Sequence, residues 1–195
     1  MSALKRRRHR TILHSVADRV TQFRQQVAFN RLHRKPPELM WKACAPCPVG
    51  RTEGTVARIG HEIFLIGGFH SLDQVLSVID VFDLNRGRWV DRIDMPANVP
   101  QTHMGRSCGE ERFIYLIGGQ LGTQCHPAVA DCFVFDVQDK SWSNLPPLPE
   151  PRYSATVQLW NGRLHAISGA KPDRWTSAYD HWSLAVAGGI ALENQ

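Results

Sequence analysis

The stretch Cys44-Ala-Pro-Cys47 sets two thiols three positions apart, the spacing of a redox pair or of half a zinc site. A zinc site needs a second such pair or two spaced histidines, and neither follows. The nine histidines are scattered, with no HExxH or HxH arrangement. Cys125-His126 is the nearest approach to a ligand pair. Tyr115, Tyr153 and Tyr179 are the only tyrosines. No nucleophile elbow or phosphate-binding loop is present, so no catalytic, metal-ligating or cofactor-binding set is assigned, and no enzyme activity or cofactor is expected.

Composition bounds the fold. With 43% hydrophobic and 21% charged residues the chain can bury a core. No run of about 18 apolar residues occurs, so no transmembrane helix is expected. Residues 1–35 hold ten Lys or Arg against the single acid Asp18, a net of +9; from residue 36 onward, 13 bases face 17 acids, a net of −4. The basic character therefore belongs to an N-terminal arm, and a specific nucleic-acid binder is not expected. Five cysteines are too few and too scattered for a disulfide scaffold, and their pairing state stays open.

The candidate residues must be positioned by something that repeats. FIYLIGG (113–119), IFLIGG (63–68) and LHAISG (164–169) are one short apolar strand written three times, at steps of 51 and 50 residues. The pairs Gly67-Gly68 and Gly118-Gly119 end the first two, and Ser168-Gly169 ends the third. Arg51, Thr102 and Arg152 each stand 17 residues before the second glycine. Strands VIDVFD (78–83) and DCFVFD (131–136) follow, and Trp89 and Trp142 stand seven residues after Phe82 and Phe135. Each unit reads as four short strands, a to d. A sheet apolar on both faces cannot cover itself, so the units must stack. Glycine would remove side chains where the chain turns and a neighbour's aromatic approaches. The tryptophans would fill the space between units.

These elements resemble the kelch-repeat family of the galactose oxidase superfamily, over roughly residues 37–195. PRYSATVQLWNGRLH and DHWSLAV are similar to plant kelch repeat-containing proteins. The resemblance implies an all-β, kelch-type β-propeller, here partial with about three four-stranded blades, behind a basic, partly helical arm. The expected boundaries are an arm at 1–36 and a propeller segment at 37–195. The segment divides into a lone outer strand at 37–50, repeats at 51–101 and 102–151, and an incomplete repeat at 152–195. Trp41 lies ten residues before Arg51, as Trp142 does before Arg152, which phases 37–50 as an isolated strand d. The third unit stops where its own strand d should begin. Rings need about four to eight blades, so truncation is the favoured reading, with self-association of two arcs or completion by a partner as alternatives. In this alignment Cys44 and Cys47 replace Leu145 and Leu148 and read as packing residues. Galactose oxidase itself uses copper with tyrosine, histidine and a tyrosine–cysteine crosslink, and the repeat contexts of the tyrosines here do not reproduce that set.

Antiparallel connection places the b–c loops and the d–a connections on one face. The first bring Phe69, His70 and Asp73, then Gln120, Gln124 and His126, then Lys171, Asp173, Arg174 and Trp175. The second bring Gln101, His103, Arg152 and Tyr153. These are the partner-face candidates of a non-catalytic protein-interaction scaffold. The alternatives are a propeller-class oxidase or glycan-processing enzyme, and a glycan-binding module of the secretory pathway that uses Trp175. The resemblance also implies ubiquitin-ligase adaptor roles, but the 36 residues ahead of the propeller are too short and too basic for a BTB or F-box domain. In the arm, Leu13, Val16, Val20, Phe23 and Val27 fall at helical spacing. KRRRHR (5–10) suits contact with acidic membrane or a partner, a nuclear signal, an organelle transit peptide, or a solvated tail. By its own residues the chain reads as soluble and intracellular, whereas the similar plant proteins imply a membrane-anchored, Golgi-like location.

Overall fold

A computed structural model describes residues 22, 24, 40–123, 127–187 and 190–191. The chain divides into two compact units, Met1–Ala43 and Cys44–Gln195. In the first, Gln22 and Arg24 are helical and exposed; the five apolar positions expected to form a helical stripe lie outside the described residues. No described helix is long and apolar enough to cross a membrane.

The second unit is all-β. Blade 1 pairs β1 (Thr55–Ile59), β2 (Glu62–Ile66), β5 (Val78–Asp83) and β6 (Arg88–Asp94) in that order, with a small hairpin of β3 (Phe69–Ser71) and β4 (Gln74–Val75) in its b–c loop. Blade 2 comprises β7 (Gly105–Gly109), β8 (Phe113–Gln120), β9 (Ala128–Asp136) and β10 (Ser141–Leu145). Blade 3 comprises β11 (Thr156–Trp160), β12 (Arg163–Ile167), β13 (His181–Ala187) and β14 (Ile190–Ala191). All pairings are antiparallel, giving three blades of a partial β-propeller. Local chemistry closes the hairpins. Asn161-Gly162, both at positive φ, makes the two-residue turn between β11 and β12. At the c–d turn of blade 1, Asp83 accepts the N–H groups of Asn85 and Arg86 at 2.8 and 2.9 Å. Asp136 does the same in blade 2 for Gln138 and Asp139, at 3.0 and 3.3 Å. The acid of each aromatic-acid strand is therefore a turn lock.

Strand alternation splits the core into two layers. Ala57, Ile59, Phe64, Ile66, Ile79 and Val81 of blade 1 meet Ile114, Leu116, Phe133 and Phe135 of blade 2. The intervening residues Phe113, Tyr115, Ile117, Cys132 and Val134 point the other way and meet Val157, Leu164 and Ala166 of blade 3. All eight residues of β8 are consequently buried. Trp142 stacks on Phe135 with ring centroids 4.8 Å apart and packs on the layer between blades 1 and 2.

Several expectations are corrected. What approaches the glycine pairs is the neighbour's backbone, not an aromatic ring. Gly68 donates its N–H to the carbonyl of Gln101 at 2.7 Å, and Gly119 donates to that of Arg152 at 2.9 Å. A methyl group on Gly67, at φ +60°, would collide with the Gln101 carbonyl. Ser168 adopts φ +59° at the equivalent place. No fourth blade abuts it among the described residues, and its hydroxyl donates to the Ala178 carbonyl. Of the stretch 37–50, phased as a lone strand d, the described residues 40–50 form no strand, and Trp41 is fully exposed. A strand d is held by the ladder of its own strand c, and no described strand pairs with this stretch. Trp89 does not fill an inter-blade space: it packs on Phe82 at 5.1 Å and donates its indole N–H to the Pro46 carbonyl at 2.7 Å. Cys44 is exposed, unlike its counterpart Leu145, because the stretch lacks the strand pairing that would press it inward, whereas Cys47 is half-buried, as its counterpart Leu148 is. Blade 3 begins a strand d after all, through the pairing of Val186 with Ala191.

Gly67→Ala should destabilise the fold by about 2 kcal/mol or more in urea unfolding, since positive φ and backbone collision combine. Gly60→Ala, at φ +55° with open space around it, should cost only about 1 kcal/mol. Acid should also weaken the fold. Arg112 donates to both oxygens of Asp136 at 2.9 and 2.8 Å and holds its carboxyl below the usual range. Because the folded-state value is depressed, this contribution is complete above the unfolded value of about 3.9 and is lost as pH falls through the lowered value. Arg112→Gln should flatten the loss of the urea midpoint below about pH 4.

Candidate functional site

The b–c loops and d–a connections are fastened to one another by single bridges. Thr52 pairs with Phe69, Thr102 with Gln120, and Tyr153 with Ala170. The residue after each bridge, Glu53, His103 and Ser154, takes positive φ of 56°, 54° and 49°. These non-glycine residues in the left-handed region form a threefold series at equivalent positions. Glu53, His103 and Ser154, together with Phe69, Leu72, Gln120, Tyr153, Ala170 and Arg174, line a groove of about 530 Å³ that draws on all three blades.

His103 stands at its centre. Its Nε2 lies 3.2 Å from a carboxylate oxygen of Glu53. Its ring meets Tyr153 edge-on at 5.6 Å and Phe69 at 6.3 Å. Its carbonyl accepts the Ser154 N–H at 2.7 Å. Arg174 lies over the Tyr153 ring at 5.4 Å, donating to the Tyr153 hydroxyl and to Gln120 Oε1, both at 3.2 Å. Gln101 accepts the Gly122 N–H at 2.8 Å, which ties the blade 2 loop down.

The remaining candidates divide by exposure. His70 is exposed, with Nδ1 2.9 Å from the Gly50 carbonyl, and Asp73 is exposed on the β3–β4 hairpin. Asp173 shapes the third loop by accepting from Trp175 N–H at 3.0 Å and Thr176 N–H at 2.8 Å. The Thr176 hydroxyl, with those amides, lowers its carboxyl below the usual range. Lys171 is half-buried and Trp175 is 90% exposed. Gln101, Gln120 and Tyr153 are buried, and of these Gln120 and Tyr153 line the groove as its floor rather than its rim. Gln124 and His126 lie outside the described residues. The repeat frame missed Glu53, Leu72, Ser154 and Ala170, although Glu53 and Ser154 occupy the register of His103 and were findable from it.

Arg152 departs furthest from its expected place on the face. It is wholly buried, with its guanidinium 4.7 Å over the Trp182 ring, 3.0 Å from Asp180 and 3.3 Å from Glu150. Arg51 has the same posture in blade 1, paired with Asp80 and donating to the Gly67 carbonyl at 3.0 Å. Asp80 also accepts from Arg92 at 2.7 Å. Ladder register equates Asp80, Phe133 and Trp182, which pair with Leu65, Leu116 and Ala166. Blade 2 therefore has Thr102 and Phe133 where blade 1 has Arg51 and Asp80. Either a charge and its partner are both present, or both are absent.

For chemistry, Tyr115 is locked between blades 2 and 3 and Tyr179 is exposed. Among the described residues no group of three or more His, Cys, Asp or Glu could hold a metal ion. The kelch motif matches residues 50–96 and again 114–149. A kelch repeat-containing protein of Arabidopsis thaliana is 40% identical over 157 residues, covering 80% of this chain and 37% of the relative. The chain belongs to the kelch-repeat family. Human Kelch-like protein 34 is 22% identical over 81% of this chain and 26% of the relative. Beta-scruin of Limulus polyphemus is 25% identical over 67% and 14%. The solved structure of YjhT superposes with a TM-score of 0.65 at 14% identity, over 79% of this chain and 49% of that one, a likeness of fold alone. The chain thus spans well under half the length of each curated relative named here.

The arginine series of these kelch repeats carries a test. Asp80→Ala leaves the Arg51 charge buried with only the Val49 and Gly67 carbonyls as partners and should cost about 3–5 kcal/mol in urea unfolding. The paired replacement Arg51→Thr with Asp80→Phe, which copies blade 2, should cost less than Asp80→Ala alone.

Proposed function

We propose that this chain is a non-catalytic kelch interaction module that holds a protein partner across the face formed by the b–c loops and d–a connections. The observation that carries this reading is the groove around His103, to which all three blades contribute. Leu72, 76% exposed, lines it, and the exposed Trp175 follows Arg174 in the chain. An accessible aliphatic and an indole beside a floor of one hydrogen-bonded glutamine and a fixed tyrosine make the usual composition of a binding centre, with apolar anchors around polar groups that set register. The groove's polar groups are engaged with one another, which suits recognition by shape and a few directed hydrogen bonds. Kelch membership supports the same reading as analogy.

The test compares proteins retained by wild-type chain, by the double variant Leu72→Asp with Trp175→Ala, and by Leu84→Asp. Leu84 is 45% exposed on a c–d turn, away from the groove. Retention should fall at least tenfold for the double variant and stay unchanged for Leu84→Asp. Equal retention by wild type and the double variant would place the contact elsewhere.

A further inference from the structure

Two imidazoles meet on the outward face of blade 3. Nδ1 of His165, on β12, lies 3.0 Å from Nε2 of His181, on β13, with ring centroids 5.2 Å apart and planes at 52°. The ladder sets this contact: His165 is opposite Ser183 and His181 opposite Ile167, so the two histidines are diagonal neighbours on one face. Both lie outside the groove described above.

The chain's own repeats show how unusual the pair is. The positions equivalent to His165 are Phe64 and Tyr115, and those equivalent to His181 are Ile79 and Cys132. All four are buried packing residues of the two core layers. Blade 3 alone replaces both members of the contact, and both with the same ligand type.

We propose that His165 and His181 form a bis-imidazole site for a divalent transition metal, copper(II) by preference and zinc(II) more weakly. Metal–nitrogen bonds of about 2.0–2.1 Å hold two adjacent ligands of a square or tetragonal ion about 2.9 Å apart, and those of a tetrahedral ion about 3.3 Å apart. The observed 3.0 Å matches the first and needs only a small splaying of the rings for the second. The contact already requires one ring to donate and the other to accept. On binding, the donating ring carries its proton on its remote nitrogen, both facing nitrogens present lone pairs, and water completes the coordination. No proton need leave a neutral pair. Arg163, two residues before His165 on β12, carries a like charge, and its guanidinium is engaged with the Ser183 hydroxyl at 3.0 and 3.2 Å. It lowers affinity without blocking the nitrogens. The ion would clip β12 to β13 across the outward face.

The full chain is titrated with Cu²⁺ and, separately, Zn²⁺ at pH 7.5 by calorimetry, with the Cu²⁺ complex read by electron paramagnetic resonance. The expected result is one high-affinity copper equivalent with coupling to two nitrogens, and at least tenfold weaker zinc binding. His165→Gln and His181→Gln should each lower copper affinity tenfold or more, and His61→Gln should not. Copper should raise Tm for wild type and not for the double glutamine variant. Should the variants fold poorly, the two-nitrogen spectrum of the wild type decides alone. Undiminished binding by a folded double variant, or no single tight equivalent in wild type, overturns the assignment.

Discussion

Each blade is a thin antiparallel sheet with apolar side chains on both faces, and such a sheet persists in water only when neighbours cover it. Blade 2 is covered on both sides, and β8 leaves no residue exposed. At about 25 cal/mol per Å² of apolar area removed from water, this stacking outweighs any single polar contact in the molecule. It also dictates where the backbone can tolerate no Cβ. Sheets packed this tightly bring one blade's b–c turn against the next blade's d–a connection, and the glycine pairs are the outcome. The polar fastenings described above, the turn-locking aspartates and the buried arginines, operate within a frame already set by burial.

The buried arginines show how the frame admits charge. Arg51 and Arg152 lie under the loop face, each answered at one register position by a group of suitable chemistry, Asp80 for the first and Trp182 for the second. Thr102 and Phe133 solve the same problem without charge. A guanidinium in such a place is tolerable only when paired, because desolvation of an isolated charge exceeds what the fold can absorb. Arg152 therefore supports the groove from beneath and has no surface to offer a partner.

Sequence periodicity resolved the blades because it records a period-2 burial pattern inside a 50-residue unit, and both are properties of residue type. The glycine pairs, Phe82 with Trp89, and Phe135 with Trp142 were legible for that reason. The site was legible only in part. The face follows from counting antiparallel strands, but which loop residues form floor and which form rim depends on tilt between blades. Gln101 and Gln120 look like ordinary polar loop residues and are buried. The stretch 37–50, of which the described residues 40–50 form no strand, illustrates the opposite failure. Its tryptophan has the spacing of a strand d, yet strand structure belongs to a pair of segments, and phasing describes only one of them.

The contacts that join one blade's inner loops to the next run from main chain to main chain: Gly68 to Gln101, Gly119 to Arg152, Ser154 to His103. Such bonds are indifferent to what projects from the loops. Relative blade orientation is thereby decoupled from the identity of the residues that face a ligand. Across evolutionary time, a scaffold of this kind can exchange its outward vocabulary loop by loop while its architecture stays constant.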